Sequence, residues 1–91
     1  MPEVYMQIEW PDGESDRVYS PSSVIREFFQ EGETMPITEF EERITAALRR
    51  AGERVREVYG MECASAKQEL QRVRTVTQDS ADGDTIQIKQ L

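Results

Sequence analysis

The feature that most constrains this chain is a long row of apolar residues at helical spacing near its middle. The row covers six helical turns and consists of Ile37, Phe40, Ile44, Ala47, Leu48, Ala51, Val55, Val58 and Tyr59. Residues three and four positions apart lie on the same side of an α-helix, so the spacing predicts one long amphipathic helix. Thr38 and Glu41 have the spacing of a capping box at its start, and Gly60 is suited to a left-handed cap at its end.

A second, shorter helical pattern follows. Ser65 and Gln68 have the spacing of another capping box. The narrower apolar stripe behind them consists of Ala66, Leu70 and Val73. The pattern fades near Thr77, so we expect a last helix that ends there.

The N-terminal residues predict a β-hairpin. Apolar and polar side chains alternate over residues 4–10, which is typical of a half-buried strand. The Pro-Asp-Gly sequence at residues 11–13 favours a turn, and residues 17–19 can return as the partner strand. In this arrangement Trp10 and Tyr19 are expected to pack together across the strands.

The remaining segments are a short helix and a C-terminal tail. Residues 22–30 place their apolar side chains on one compact face, which predicts a short helix ended by Gly32. Residues 78–84 form a polar turn and residues 85–89 alternate again, so the tail either adds a third strand or stays flexible. We therefore expect one small α+β domain over residues 1–91, with an N-terminal β-hairpin, a short helix and two amphipathic helices.

Composition excludes several kinds of catalytic and metal site. The chain has no His and one Cys, which rules out a Cys/His zinc site, a Ser-His or Cys-His catalytic pair and an internal disulfide. The acidic segment 79–84 fails as a calcium loop, because setting Gly83 at its sixth position puts Lys89 where a bidentate Glu is required. No phosphate-binding loop motif occurs. We expect no metal, no cofactor and no enzymatic activity.

The sequence also predicts where the protein is located. No run of 18 apolar residues occurs, and residues 1–4 lack the basic start and apolar stretch of a secretory signal. The single Cys63 is typical of a reducing compartment, because small secreted domains usually carry paired cysteines. We expect a cytoplasmic protein that does not bind membranes.

Charge is distributed unevenly along the chain. Residues 1–42 carry a net charge of −9, residues 43–74 carry +4 and residues 75–91 carry −2, which together give −7. The candidate partner-binding residues of the basic segment are Arg43, Arg49, Arg50, Arg54 and Arg56. They either dock an acidic or phosphorylated partner or form a solvated face of salt bridges with nearby Glu residues, and the second arrangement is the more common. The net charge argues against nucleic acid as a partner.

Cys63 is the candidate functional thiol. It precedes the last predicted helix, and a helix N-terminus favours the thiolate form of cysteine. No His is available as a base, however, and a small buried side chain beside Ala64 and Ala66 is the more common role. We expect Cys63 to be structural.

Several short sequence strings resemble a known family. They are Ile8-Glu9-Trp10-Pro11-Asp12-Gly13, Tyr19-Ser20-Pro21-Ser22, Ala51-Gly52-Glu53-Arg54-Val55 and Tyr59-Gly60-Met61-Glu62-Cys63-Ala64-Ser65-Ala66. Together with the opening Met-Pro-Glu, they are similar to a family of small bacterial nitrogen-starvation response proteins over about residues 1–73. The resemblance implies a single-domain protein encoded beside a nitrilase, a radical-SAM enzyme, an acetyltransferase-like protein and a flavoprotein. It implies a role in that nitrogen-linked pathway and no catalytic residue.

The sequence is compatible with two functions. The first is a non-enzymatic accessory or regulatory protein that binds a partner protein, such as a neighbouring pathway enzyme, or a second copy of itself. In such a homodimer the long helix would pair through Phe40, Leu48 or Val55. The second is a small-molecule or anion-binding protein, or a minor enzyme, that uses Cys63 and nearby Arg side chains. The lack of an assembled acid, base and nucleophile favours the first.

Overall fold

A four-stranded antiparallel sheet and two α-helices make up the computed structural model, which describes residues 3–61, 64–81 and 83–91. In chain order the elements are strand β1 (Val4–Glu9), strand β2 (Ser15–Ser20), a 3₁₀ helix (Ser23–Glu27), strand β3 (Thr34–Pro36), helix α1 (Ile37–Tyr59), helix α2 (Ala64–Thr77) and strand β4 (Thr85–Gln90). The expected α+β class is confirmed. The short helix is shorter than predicted, and it has the tighter 3₁₀ geometry.

The N-terminal hairpin forms as the alternating pattern predicts. Val4, Met6 and Ile8 are buried, whereas Tyr5 and Gln7 point to the other face of the sheet and are exposed. All of β1 pairs antiparallel with β2. The buried face of β1 packs into a single core with residues of α1 and the 3₁₀ helix, so the helices cover one face of the sheet.

The C-terminal strand lies in the interior of the sheet. The strand order is β2-β1-β4-β3, and β4 pairs antiparallel with both β1 and β3. Ile86 and Ile88 are 1% and 0% exposed, so the tail is part of the core and not a flexible segment. The expectation of a third strand is thus confirmed. The sequence did not predict β3, because three residues that end in Pro36 are too few to show an alternating pattern.

The two ends of α1 lie where the sequence places them, but the start is stabilised differently. Pro36 precedes the helix without a side-chain cap, and Thr38 is already inside the helix, so the predicted capping box is wrong. The physical reason is that β3 runs directly into α1, and the backbone N–H of Ile37 donates to the carbonyl of Asp84 at 2.8 Å. At the other end Gly60 has φ 73°, which confirms the left-handed cap.

Helix α2 begins two residues earlier than expected, because a cap at Ser65 would make Ala66 the first helical residue. Ala64 is its first residue, so Ser65 lies within the helix and not at the predicted cap position. The residue before Ala64 is outside the described ranges. The helix ends at Thr77, as its fading apolar stripe indicates.

The aromatic side chains pair differently from the expected contact of Trp10 with Tyr19. Trp10 turns into the core beyond the end of β1, where its ring meets Phe40 edge-on with centroids 5.8 Å apart. Tyr19 lies directly opposite Tyr5 in the register of the hairpin, and their rings are 5.5 Å apart on the outer face of the sheet. The predicted contact is therefore wrong, because Trp10 and Tyr19 lie on opposite faces.

The apolar stripe of α1 is only partly used by the core. Phe40 and Leu48 are at most 1% exposed because they pack against the sheet, so neither can be an outward contact of a dimer. Farther along, Val55 is half-buried, and Val58 and Tyr59 are more than half exposed. Among the described residues, no helix has the length and apolar character that crossing a membrane requires.

Candidate functional site

Arg43, the first of the five candidate arginines, has a structural position. Its guanidinium forms ion pairs with Glu33 at 2.7 Å and Glu39 at 3.0 Å, and it donates a hydrogen bond to the carbonyl of Phe28 at 3.4 Å. The hydrogen bond to Glu33 raises the pKa of Arg43. These contacts fasten α1 to the segment that leads into β3.

Arg50 and Arg54 form salt bridges with carboxylates on their own helix. Arg50 lies 3.4 Å from Glu53 and 3.2 Å from Glu57, and Arg54 lies 3.2 Å from Glu57. Hydrogen bonds from Arg50 and then Arg54 lower the pKa of the Glu57 carboxyl. These side chains therefore form the solvated salt-bridged face that was one of the two interpretations of the basic segment.

Arg49 and Arg56 differ from the other candidates. Neither side chain has a hydrogen-bond or ion-pair partner among the residues that the structure describes. Both line a groove of about 230 Å³ between α1 and α2. The apolar residues of the groove are Leu48, Gly52, Ala66 and Leu70, and its charged residues are Arg49, Arg56, Lys67 and Glu53.

Gly52 keeps this groove open. It lies in the interior of α1, where Gly is about 1 kcal/mol less favourable than Ala. Among the described residues, a Cβ added at this position would meet only the Cβ of Ala66, at an ordinary contact distance of 3.8 Å. An alanine therefore fits here, and glycine leaves that space in the groove unfilled.

The groove continues along α2 toward its C-terminal end. A second cavity of about 540 Å³ shares Arg49, Lys67 and Leu70 with the first. Arg74 lines this cavity too, with its Nε 3.7 Å from Glu41. We call the two cavities together the interhelical groove. Its charged rim is mainly cationic, although the chain as a whole carries −7.

An acidic cleft lies at the same C-terminal end of α2 as the second cavity, and Thr75 lines both. Its cavity of about 590 Å³ lies between the β1–β2 turn, the end of α2 and the start of β4. The carboxylates that line it are Asp12, Glu14, Asp16, Asp79 and Asp84. Among the described residues, no group of three or more His, Cys, Asp or Glu side chains is arranged to hold a metal ion.

Two side chains of α2 close the free edge of β2. Arg72 donates from Nη2 to the carbonyl of Arg17 at 2.9 Å, and Glu69 accepts from the backbone N–H of Tyr19 at 2.7 Å. Arg72 and Glu69 also bind each other at 2.7 Å, and Arg72 reaches Asp16 at 2.9 Å. We call this set the edge clasp. An edge strand otherwise presents unpaired backbone groups to other chains, so the clasp blocks strand addition there.

Asp16 connects the edge clasp to the core. Its carboxylate accepts a hydrogen bond from Nε1 of Trp10 at 2.9 Å as well as from Arg72. Burial acts to raise the pKa of Asp16, but hydrogen bonds from Arg72, the backbone N–H of Arg17 and Trp10 outweigh it and lower the pKa below its usual 3.8. The hydrogen bond to Glu69 raises the pKa of Arg72, which therefore stays charged at every pH of interest.

The lowered pKa of Asp16 predicts a pH dependence of stability. A carboxyl whose pKa is lower in the folded chain stabilises it above the unfolded pKa, and this stabilisation is lost as the pH falls through the folded pKa. We therefore expect the free energy of unfolding to fall more steeply between about pH 4 and pH 2 in the natural chain than in Asp16→Asn. Urea unfolding at a series of pH values measures both slopes. Asp79→Asn, which changes an exposed carboxyl, is the matched control, and equal slopes for all three proteins would contradict the prediction.

A family model described as nitrogen starvation-induced protein NitG matches residues 5–91. The chain belongs to the NitG family. The short sequence strings suggested a resemblance that ended near residue 73, whereas the NitG match continues through β4. Searches of curated proteins and of solved structures found no match.

Membership of the NitG family identifies the chain as a nitrogen starvation-induced protein. Cys63, the candidate thiol, lies outside the described residues, so the structure places no site around it. The sequence did not single out Gly52 or Lys67, which line the groove, or Glu69, which belongs to the clasp. A usable signal existed for the groove, because Lys67 and Arg74 on α2 repeat the seven-residue spacing of Arg49 and Arg56 on α1.

Proposed function

We propose that this NitG-family chain is a non-enzymatic accessory protein of the nitrogen-starvation response, and that it binds an acidic segment of a partner protein in the interhelical groove. The observation that carries the proposal is the position of Arg49 and Arg56 beside an apolar surface, with no carboxylate partner in the described chain. A guanidinium in this situation can bind an incoming carboxylate through two parallel hydrogen bonds.

Charge complementarity supports an acidic partner. The first cavity of the groove has three cationic side chains and one carboxylate, and that carboxylate, Glu53, already binds Arg50. The rest of the molecule repels an acidic partner, because residues 1–42 alone carry −9. Electrostatic steering therefore brings such a partner to this groove rather than to other surfaces.

The shape of the groove favours a protein segment over a small ligand. Small-molecule sites are concave pockets that bury most of the surface of the ligand. The groove instead follows two helices as two joined cavities of about 230 and 540 Å³, and it is open to solvent. It suits one or two side chains of a partner, with the charged contacts at the rim.

The family resemblance implies that several enzymes are encoded beside this protein, and these enzymes are the first partners to test. We propose that the protein is located in the cytoplasm together with them. The experiment is affinity capture from nitrogen-starved cells, with mass spectrometry of what is retained. We expect Arg49→Gln/Arg56→Gln to lower the captured amount of a specific partner by about tenfold or more, because each lost charge-assisted hydrogen bond weakens binding by about 1.5–3 kcal/mol.

Arg50→Gln/Arg54→Gln is the matched control for this capture. It removes the same charge from the same helix, but from side chains that already have carboxylate partners. We expect it to retain the partner at a level close to that of the natural chain. Equal losses in the two double variants would contradict a role of the groove, and unchanged capture in both would place the interface elsewhere.

A further inference from the structure

The cations of the interhelical groove repeat at the same interval on both helices. Arg49 and Arg56 on α1 are seven residues apart, and so are Lys67 and Arg74 on α2. At about 1.5 Å per residue, each pair spans about 10.5 Å along its helix. Two rows of positive charge thus share one repeat distance, and the α1 row of Arg49 and Arg56 is the one that has no carboxylate partner among the described residues.

Between these rows lies an apolar strip with a helical repeat of its own, in which Gly52 and Leu70 are half-buried and Leu48 and Ala66 are buried beneath them. Leu48 and Gly52 are four residues apart on α1, and Ala66 and Leu70 are four residues apart on α2. Residues four apart on neighbouring helices form a continuous valley, into which the side-chain ridge of another helix can pack.

We infer that the occupant of the groove is an acidic amphipathic α-helix of the partner protein. This inference rests on the proposed function and adds the conformation of the bound segment. A helix repeats the same face every seven residues, so acidic residues at that spacing meet both cations of a row. In a β-strand the same 10.5 Å corresponds to about three residues, which point to opposite faces and cannot both reach the row.

Gly52 lines the groove without a side chain of its own, so it marks the place for the partner's apolar anchor. Among the described residues, an added Cβ would have Ala66 alone within 4 Å, at 3.8 Å. A Leu side chain of the partner would lie over Gly52 and beside the half-buried Leu70. A large side chain introduced at position 52 would occupy the same space.

A pair of synthetic peptides tests the inference. Both have about 18 residues and the same composition, rich in Leu and Glu. In the first, the Leu residues follow helical spacing with Glu residues seven apart at their flanks, and in the second Leu and Glu alternate. Fluorescence anisotropy with the full chain measures binding, and circular dichroism measures helix formation by the bound peptide. We expect the helical peptide to bind about tenfold or more tightly than its isomer.

Variants of the chain separate this inference from the proposed function. Gly52→Leu is expected to weaken the helical peptide by about tenfold, whereas Gly52→Ala, which favours the helix and adds one methyl group, is expected to weaken it much less. If both peptides bind equally well and both lose binding to Arg49→Gln/Arg56→Gln, the helical conformation of the bound segment is refuted and the proposed function stands. Unchanged binding of the helical peptide to Gly52→Leu would also refute the helical conformation of the bound segment. If neither peptide binds, both the helical conformation and the proposed function are overturned.

Discussion

Removal of residues 85–91 is expected to abolish the folded state. These residues form β4, which lies between β1 and β3 and is hydrogen-bonded to both. Deleting the strand removes Ile86 and Ile88 from the core and leaves the facing edges of β1 and β3 without partners. Truncation of one buried Ile to Ala costs about 2–5 kcal/mol, and the whole stability of a small domain is about 5–15 kcal/mol. The loss therefore exceeds what the remaining contacts can offset.

Circular dichroism and one-dimensional NMR of the truncated chain test this expectation. We expect no cooperative thermal transition and no dispersed methyl signals. Ile88→Ala gives a graded version and should lower the free energy of unfolding by about 2–5 kcal/mol. Lys89→Ala is its control, because Lys89 is exposed and its ion pair with Glu9 at 3.0 Å lies at the surface. A truncated chain that still unfolds cooperatively near the normal temperature would refute the role given to β4.

Arg72→Ala is expected to produce the second large effect, through the edge clasp. Arg72 is the one side chain that joins Glu69, Asp16 and the carbonyl of Arg17. Its removal leaves the partly buried Asp16 and Glu69 carboxylates without their shared cation. Hydrogen bonds to charged groups contribute about 1.5–3 kcal/mol, so we expect a decrease of about that size in the free energy of unfolding.

The edge of β2 provides a second measurement for the same variant. With Arg72 absent, the Arg17 carbonyl faces solvent, and the strand edge becomes available to another chain. We expect sedimentation velocity to show association that increases with protein concentration. Arg74→Ala is the matched control, because Arg74 lies on the same helix with its Nε 3.7 Å from Glu41 and should change stability by no more than about 0.5 kcal/mol. Identical stability and association in the two variants would contradict the clasp.

Local sequence patterns predict some strands of the sheet but not how the strands pair. Alternation over residues 4–10 and 85–89 predicts two of the three six-residue strands, β1 and β4, because each has one buried face that its sequence must match. The position of β4 inside the sheet depends on pairing with β1, which lies more than 70 residues earlier in the chain. Strand β3 has only three residues and becomes a strand because β4 offers it hydrogen-bond partners. Such pairing is a long-range property with no local signature.

The ion pairs around the groove are likewise not determined by sequence spacing alone. Glu53 lies four residues after Arg49 and three after Arg50, so either arginine could pair with it by spacing alone. In the structure Arg50 forms that pair, and Arg49 lines the groove instead. Packing of α2 against α1 determines which side of α1 faces solvent and which side lines the groove. This determines which cationic side chains have no carboxylate partner among the described residues.

The sequence by itself determined the apolar face and the C-terminal end of α1, the N-terminal hairpin, the α+β class and the segregation of charge. These follow from spacing and composition, since residues close in the chain decide which side chains share a face. Only the tertiary structure decided the interior position of β4, the edge clasp made by Arg72 and the cationic groove around Gly52. Each of these depends on contacts between elements far apart in the chain, whose geometry is determined by the packing of the whole core.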